Sequence, residues 1–159
     1  MPVYYVDVDS RNISANHTTS DYVVELTETL KNVISIELQY GVFNKTGVEN
    51  YAVLSIGELP KTSRVGNISY NGESFTIIPL TQTRTIYSPA LFYPSYMGFD
   101  LPIERLRKLS IQFRNYQGEL EPIGEHSMLF KITTTIRSET FDTQYPERWN
   151  KSDIMFTGM

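Results

Sequence analysis

Cysteine is absent from this sequence, and that one absence removes disulfide frameworks, thiolate zinc sites and thiol catalysis together. Histidine is scarce: His17 and His126 are far apart in the chain, and no spacing motif joins them into a metal site or an acid–base pair. The nine glycines are scattered, so there is neither a phosphate-cradling loop nor a Gly-x-Ser-x-Gly elbow to present a nucleophile. No apolar run approaches the ~18 residues of a membrane helix, and Met1–Asp7 lacks the basic-then-apolar order of a secretory leader. Positive charge is also short. The formal net charge is -4 and the sequence pI is about 5.2, a field that repels phosphate polymers and argues against nucleic acid as a partner. Arg105, Arg107 and Lys108 form the one basic cluster and read as a solvated turn.

With no reactive constellation in view, the expectation is a soluble, non-secreted, non-enzymatic chain with no cofactor and no metal. Asp7 and Asp9 share a strand face, with Asn12 and Asp21 nearby in sequence, and so offer the one arrangement suited to a hard cation. Paired acids on a strand face are more commonly just solvated, and that is how they are read. Five Asn-x-Ser/Thr patterns, beginning at Asn12, Asn16, Asn44, Asn67 and Asn150, are inert without a leader and fit chance in a Ser- and Thr-rich chain.

What the sequence does contain is β pattern. At 159 residues, 40% hydrophobic and 20% charged, the composition is that of a folded domain of ordinary size. The aromatic share of 13%, with 11 Tyr and 8 Phe, is generous and suits pleated surfaces and interfaces. Apolar and polar residues alternate without a fault from Leu109 to Arg114, and the alternation returns from Met128 to Ile136, with Met128, Phe130, Ile132 and Ile136 opposite Lys131, Thr133 and Thr135, the signature of half-buried strands. Asn115–Gly118 and Pro122–Gly124 supply turn chemistry between them, which predicts a long hairpin loop.

Further strands are predicted over Val3–Val8, Asp21–Leu26, Val33–Phe43 and Tyr51–Ile56. A hairpin is expected around Asn71–Gly72, with arms at Asn67–Tyr70 and Phe75–Leu80, and one more strand within Thr81–Tyr87. Pro102–Lys108 has the spacing of a single helical turn, with Ile103 and Leu106 on one side. Eight or nine short strands with almost no helix predict an all-β fold, a single antiparallel sandwich of jelly-roll type over residues 1–136, followed by a C-terminal extension, 137–159.

Two stretches break the pattern. Ser88–Asp100 is a proline-interrupted segment carrying Phe92, Tyr93, Tyr96, Met97 and Phe99, and Arg137–Asn150 is polar with isolated Phe141, Tyr145 and Trp149. Loops are ordinarily polar, so these aromatics call for a surface to cover. On composition alone, Phe92, Tyr93, Tyr96, Tyr145 and Trp149 are the candidate partner contacts.

Three blocks of the chain carry a resemblance. Tyr5-Val6-Asp7-Val8-Asp9-Ser10-Arg11-Asn12, Leu30-Lys31-Asn32-Val33-Ile34-Ser35-Ile36-Glu37-Leu38, and the segment from Leu109 through Glu125-His126 to Ile136 occur in this order. Together they cover roughly half of the sequence and resemble minor capsid proteins of large icosahedral double-stranded DNA viruses of eukaryotes. The resemblance implies a jelly roll, a place in the virion after synthesis in the host cytoplasm, and other capsid proteins as partners, namely the major capsid protein and neighbouring minor ones. Homo-oligomers through an exposed strand edge fit the same picture. The rival reading is a carbohydrate- or protein-binding sandwich of lectin type, with Tyr93, Tyr96 and Trp149 as stacking platforms.

Overall fold

The computed structural model describes residues 1–61, 67, 74–88 and 95–136. These residues form seven strands: β1 (Val3–Asp9), β2 (Asp21–Lys45), β3 (Tyr51–Ile56), β4 (Thr76–Pro79), β5 (Arg84–Tyr87), β6 (Ser95–Arg114) and β7 (Ile123–Thr134), with one 3₁₀ turn over Ser10–Asn12. The all-β expectation holds. Every pairing is antiparallel, in the order β1-β7-β2-β6-β3-β4, with β5 also on β2. The Asn71–Gly72 hairpin and residues 137–159 lie outside the described residues.

Two strands shape the molecule, and both contain the strands expected from the sequence but run on well beyond them. Asp21–Leu26 and Val33–Phe43 are halves of the single 25-residue β2. Its register on β6 jumps from Glu25↔Lys108 to Leu30↔Leu106, so Leu26–Thr29 bulge out, and Asn32 just beyond takes a left-handed φ of 55°. Such a bend lets one strand serve two layers. β6 bends in the same region, where Val33↔Ile103 is followed by Ser35↔Gly98 and Phe99–Pro102 are extra. Pro102 is therefore in a bulge that asks for no ladder donor. The helical turn expected over Pro102–Lys108 does not form: Leu106 is buried opposite Leu30, because cross-strand pairing overrides the local spacing. The basic cluster accordingly lies along an exposed strand rather than in a turn.

Asn32 fits its backbone because a short polar side chain tolerates φ above zero, whereas a β-branched one does not. Asn32→Val is expected to lose about 1–2 kcal/mol of stability in urea unfolding and Asn32→Gly to lose far less. Equal losses would mean that the corner does not need this conformation.

The predicted hairpin between the last two strands is only a tip. Gly118 has φ 84°, the Asn115 side-chain oxygen accepts from the Gln117 and Glu119 N–H groups at 3.0 Å, and the Glu121 N–H donates to the Phe113 carbonyl. Beyond that point the arms separate to opposite sides of β2, with β6 on one side and β7, flanked by β1, on the other.

The result is a sheet curled into a half-barrel, a jelly-roll-like sandwich with two layers. One layer is β1, β7, the second half of β2, β5 and the start of β6. The other is the first half of β2, the end of β6, β3 and β4. Between them lies the core, with Tyr22, Phe43, Phe113, Phe130, Ile36 and Leu54 among its fully buried side chains. The layers are also tied at one end by Thr19 and Ser20, whose hydroxyls donate to the Ile123 and Glu121 carbonyls at 2.5 and 2.6 Å.

Candidate interface on the outer face of the first layer

Strand register decides which side chains share the outside of the first layer. Tyr5 faces Lys131, Lys131 faces Glu37 and Glu37 faces Tyr96, a row that crosses four strands. The adjoining rows carry Val3 with Thr133, Leu129 with Tyr40, and Val42 with Ile86. Tyr5 is 62% exposed, Tyr96 63%, Tyr40 43% and Ile86 46%. Only Lys131 and Glu37 bring opposite charge to the middle, the cross-strand arrangement that stabilises a sheet without closing it to a partner. The Tyr96 ring lies back along its strand over Gly98, where an added Cβ would meet the Tyr96 hydroxyl oxygen at 3.0 Å. Glycine there leaves the ring flat and accessible.

The outside of the second layer has a different chemistry. Asp21, Gln112 and Ser55 form its central row, and the Gln112 side chain donates to Asp21 Oδ1 at 3.2 Å while accepting from Arg114. That row is polar and hydrogen-bonded within itself, with Asp21 and Gln112 half-buried and Ser55 buried, and it carries no exposed aromatic side chain. Tyrosine pairs a large apolar body with a polar tip at little conformational cost, which is why it is enriched at protein interfaces. The contrast between layers makes the tyrosine side the candidate site.

Of the partner contacts expected from composition, Tyr96 is on this face. Phe92, Tyr93, Tyr145 and Trp149 lie outside the described residues. Tyr5, Tyr40 and Ile86 join it there without having been singled out by composition, although alternation in Val3–Val8 sets Tyr5 on the side opposite Tyr4, Val6 and Val8.

The reactive groups are dispersed or satisfied. His17 sits in an exposed loop against the Ser14 hydroxyl at 2.5 Å. His126 is buried: its Nδ1–H donates to the Gly124 carbonyl at 2.9 Å and its Nε2 accepts from the Tyr22 hydroxyl at 2.7 Å. Phe43 stacks on the ring and Phe113 meets it edge-on, centroids 4.9 Å apart. Burial holds the imidazole pKa below its ordinary value and raises that of Tyr22, so both are neutral. Asp9 does not wait for a cation. It caps the 3₁₀ turn and grips Arg11 through both carboxylate oxygens at 3.0 and 2.7 Å, which holds its pKa at about 2. Among the described residues no group of three His, Cys, Asp or Glu is placed to hold a metal ion.

No family model matches the chain, and no curated protein matches it by sequence. Among solved structures it is similar to the infectious bursal disease virus VP2 subviral particle, at 10% identity and a TM-score of 0.22 over 83% of this chain. The chain spans 33% of that protein's length.

Proposed function

We propose that this chain is a non-enzymatic structural protein of a virion shell, a minor capsid component that bridges or cements its neighbours through the tyrosine face. The observation that carries the reading is the row Tyr5–Lys131–Glu37–Tyr96, an exposed aromatic surface on a layer whose opposite side is a packed core. It is joined by the placement of the three blocks that resemble minor capsid proteins. They supply β1, the corner of β2, the end of β6 and β7, of which β1, β7 and β2 pair side by side in that layer. The partners are other capsid proteins, which would cover the face as aromatic anchors are covered elsewhere, by desolvating a few residues that carry most of the affinity.

Tyr5→Ser combined with Tyr96→Ser tests this. Both side chains are exposed, so the thermal midpoint should stay within a few degrees of the parent. Incorporation of the tagged chain into gradient-purified particles of the virus that encodes it should fall by at least about tenfold, equivalent to ~1.4 kcal/mol. Undiminished incorporation of a folded double variant would remove the face from the assembly, and absence of the parent chain from the particles would remove the virion reading altogether.

A further inference from the structure

The half-barrel is open along one side, and the opening is lined by two strand edges. β1 pairs with β7 alone, and the first half of β2 pairs with β6 alone among the described strands. Each therefore presents a row of backbone N–H and C=O groups that no described strand takes up, the feature on which added strands dock. The curl brings both edges to one cleft. Its first part, about 300 Å³, lies between Tyr4–Asp7 and Val24–Leu30. A wider part, about 800 Å³, continues between Asp7–Asn12 and Val23–Glu25. Tyr4, Val6, Val24 and Leu26 floor the cleft, packed on the core yet only partly buried.

The rim carries one sign of charge. Asp7, Glu25 and Glu28 are exposed there, and no Lys or Arg lines either part. None of the three forms an ion pair among the described residues, whereas Asp9 is taken by Arg11. Lys108 is the direct cross-strand partner of Glu25, on β6, which pairs with the edge of β2 opposite to the open one.

We propose that this cleft takes up an extended segment of another protein, with apolar residues at alternate positions and Lys or Arg between them, as an added strand between β1 and β2. The apolar floor suits one side of such a strand, the acidic rim suits the other, and two open edges supply main-chain partners on both flanks. A second copy of this chain meeting the cleft edge to edge would set Asp7, Glu25 and Glu28 against the same acids. Residues 137–159 contain Arg137, Arg148 and Lys151 against Glu139, Asp142, Glu147 and Asp153, so they are not basic either. The wider part is also lined by Tyr40, Ser127, Met128 and Leu129 and so adjoins the tyrosine face, but the inference rests on the open edges and the acidic rim rather than on the Tyr5–Tyr96 row.

The test titrates the full chain, at low salt, with two ten-residue peptides, one alternating Val and Lys and the other Val and Glu, and follows amide hydrogen exchange. The Val–Lys peptide should slow exchange in Val3–Asp9 and Tyr22–Glu28 and bind at least about tenfold tighter than the Val–Glu peptide, and salt should weaken it. Asp7→Asn with Glu25→Gln and Glu28→Gln should erase that preference while leaving the fold intact. Equal binding of the two peptides, no binding of either, or protection confined to other strands would overturn the proposal. So would slowed exchange of these same amides on self-association without peptide, which would make a second copy the occupant.

Discussion

Phe113→Ala is expected to cost about 3–5 kcal/mol of folding stability, the range for emptying a large buried aromatic site whose surroundings cannot collapse. Phe113 is fully buried, and its ring meets His126 edge-on and Phe43 at 6.0 Å and 70°. Its backbone is held as well: its N–H donates to the Ser20 carbonyl at 2.9 Å and its carbonyl accepts from the Glu121 N–H. The walls of the vacated space are thus strand backbone and rigid rings, which cannot close the gap by changing rotamer. In a domain of this size each kcal/mol shifts the thermal midpoint by about 2–4 °C, so a fall of roughly 10 °C is expected. The control is Tyr116→Ala, at an exposed position on the turn, which should stay within about 0.5 kcal/mol. Urea unfolding measures both, and a loss below about 1 kcal/mol for Phe113→Ala would contradict a packed aromatic cluster at this end of the core.

The second large effect is a loss of stability on acidification, carried by His126. In the unfolded chain this imidazole takes up a proton near its ordinary pKa of about 6.5. In the folded protein, desolvation by the surrounding core depresses that pKa, opposed more weakly by the Gly124 carbonyl and the charge of Asp9. The unfolded state therefore binds the extra proton first as pH falls. Stability is complete above about pH 6.5 and declines below it, by at most ~1.4 kcal/mol per pH unit for one proton, until the folded pKa is reached. Glu121 acts in the opposite sense: burial raises its pKa in the folded protein, so its own contribution improves as pH falls toward the ordinary carboxylate value. The two slopes have opposite sign, and a single acid titration would sum them. His126→Gln separates them, since an amide can accept from the Tyr22 hydroxyl and donate to the Gly124 carbonyl without titrating. The parent and the variant should differ most at pH 7.5 and converge as the pH drops to 5. Parallel curves would mean that His126 does not titrate differently in the two states.

Much of the strand content was legible because alternation is a local property. Tyr51–Ile56 reads as a strand to the residue, and Val3–Val8 falls one short of β1. The corners were not legible. Leu26–Thr29 and Phe99–Pro102 look like breaks between elements, yet they are bulges inside β2 and β6, and only a second layer waiting across the core makes a bend preferable to a stop. The candidate site was half legible for a related reason. Alternation sorts Tyr5 and Asp7 from Tyr4 and Val6 without saying whether the outward set meets water or a partner. It took the register to place Tyr5 in line with Tyr96, which lies 91 positions along the chain, and no window of sequence contains that fact. The cage around His126 is of the same kind, since Tyr22 reaches it across 104 positions.

The continuity of β2 has a price in time. Its partners β5, β6 and β7 all come later in the chain, so a 25-residue strand rich in Val, Ile and Leu is made long before anything can pair with it. Closing such distant contacts is slow, because the entropy of bringing remote segments together must be overcome before their burial stabilises anything. Until β7 is available, the nascent chain displays a long, unpaired, aggregation-prone edge. The residues that weld the two layers into one body in the finished fold are thus the ones most in need of shelter while it forms, and a chaperone that shields extended apolar segments should raise its yield more than added stability would.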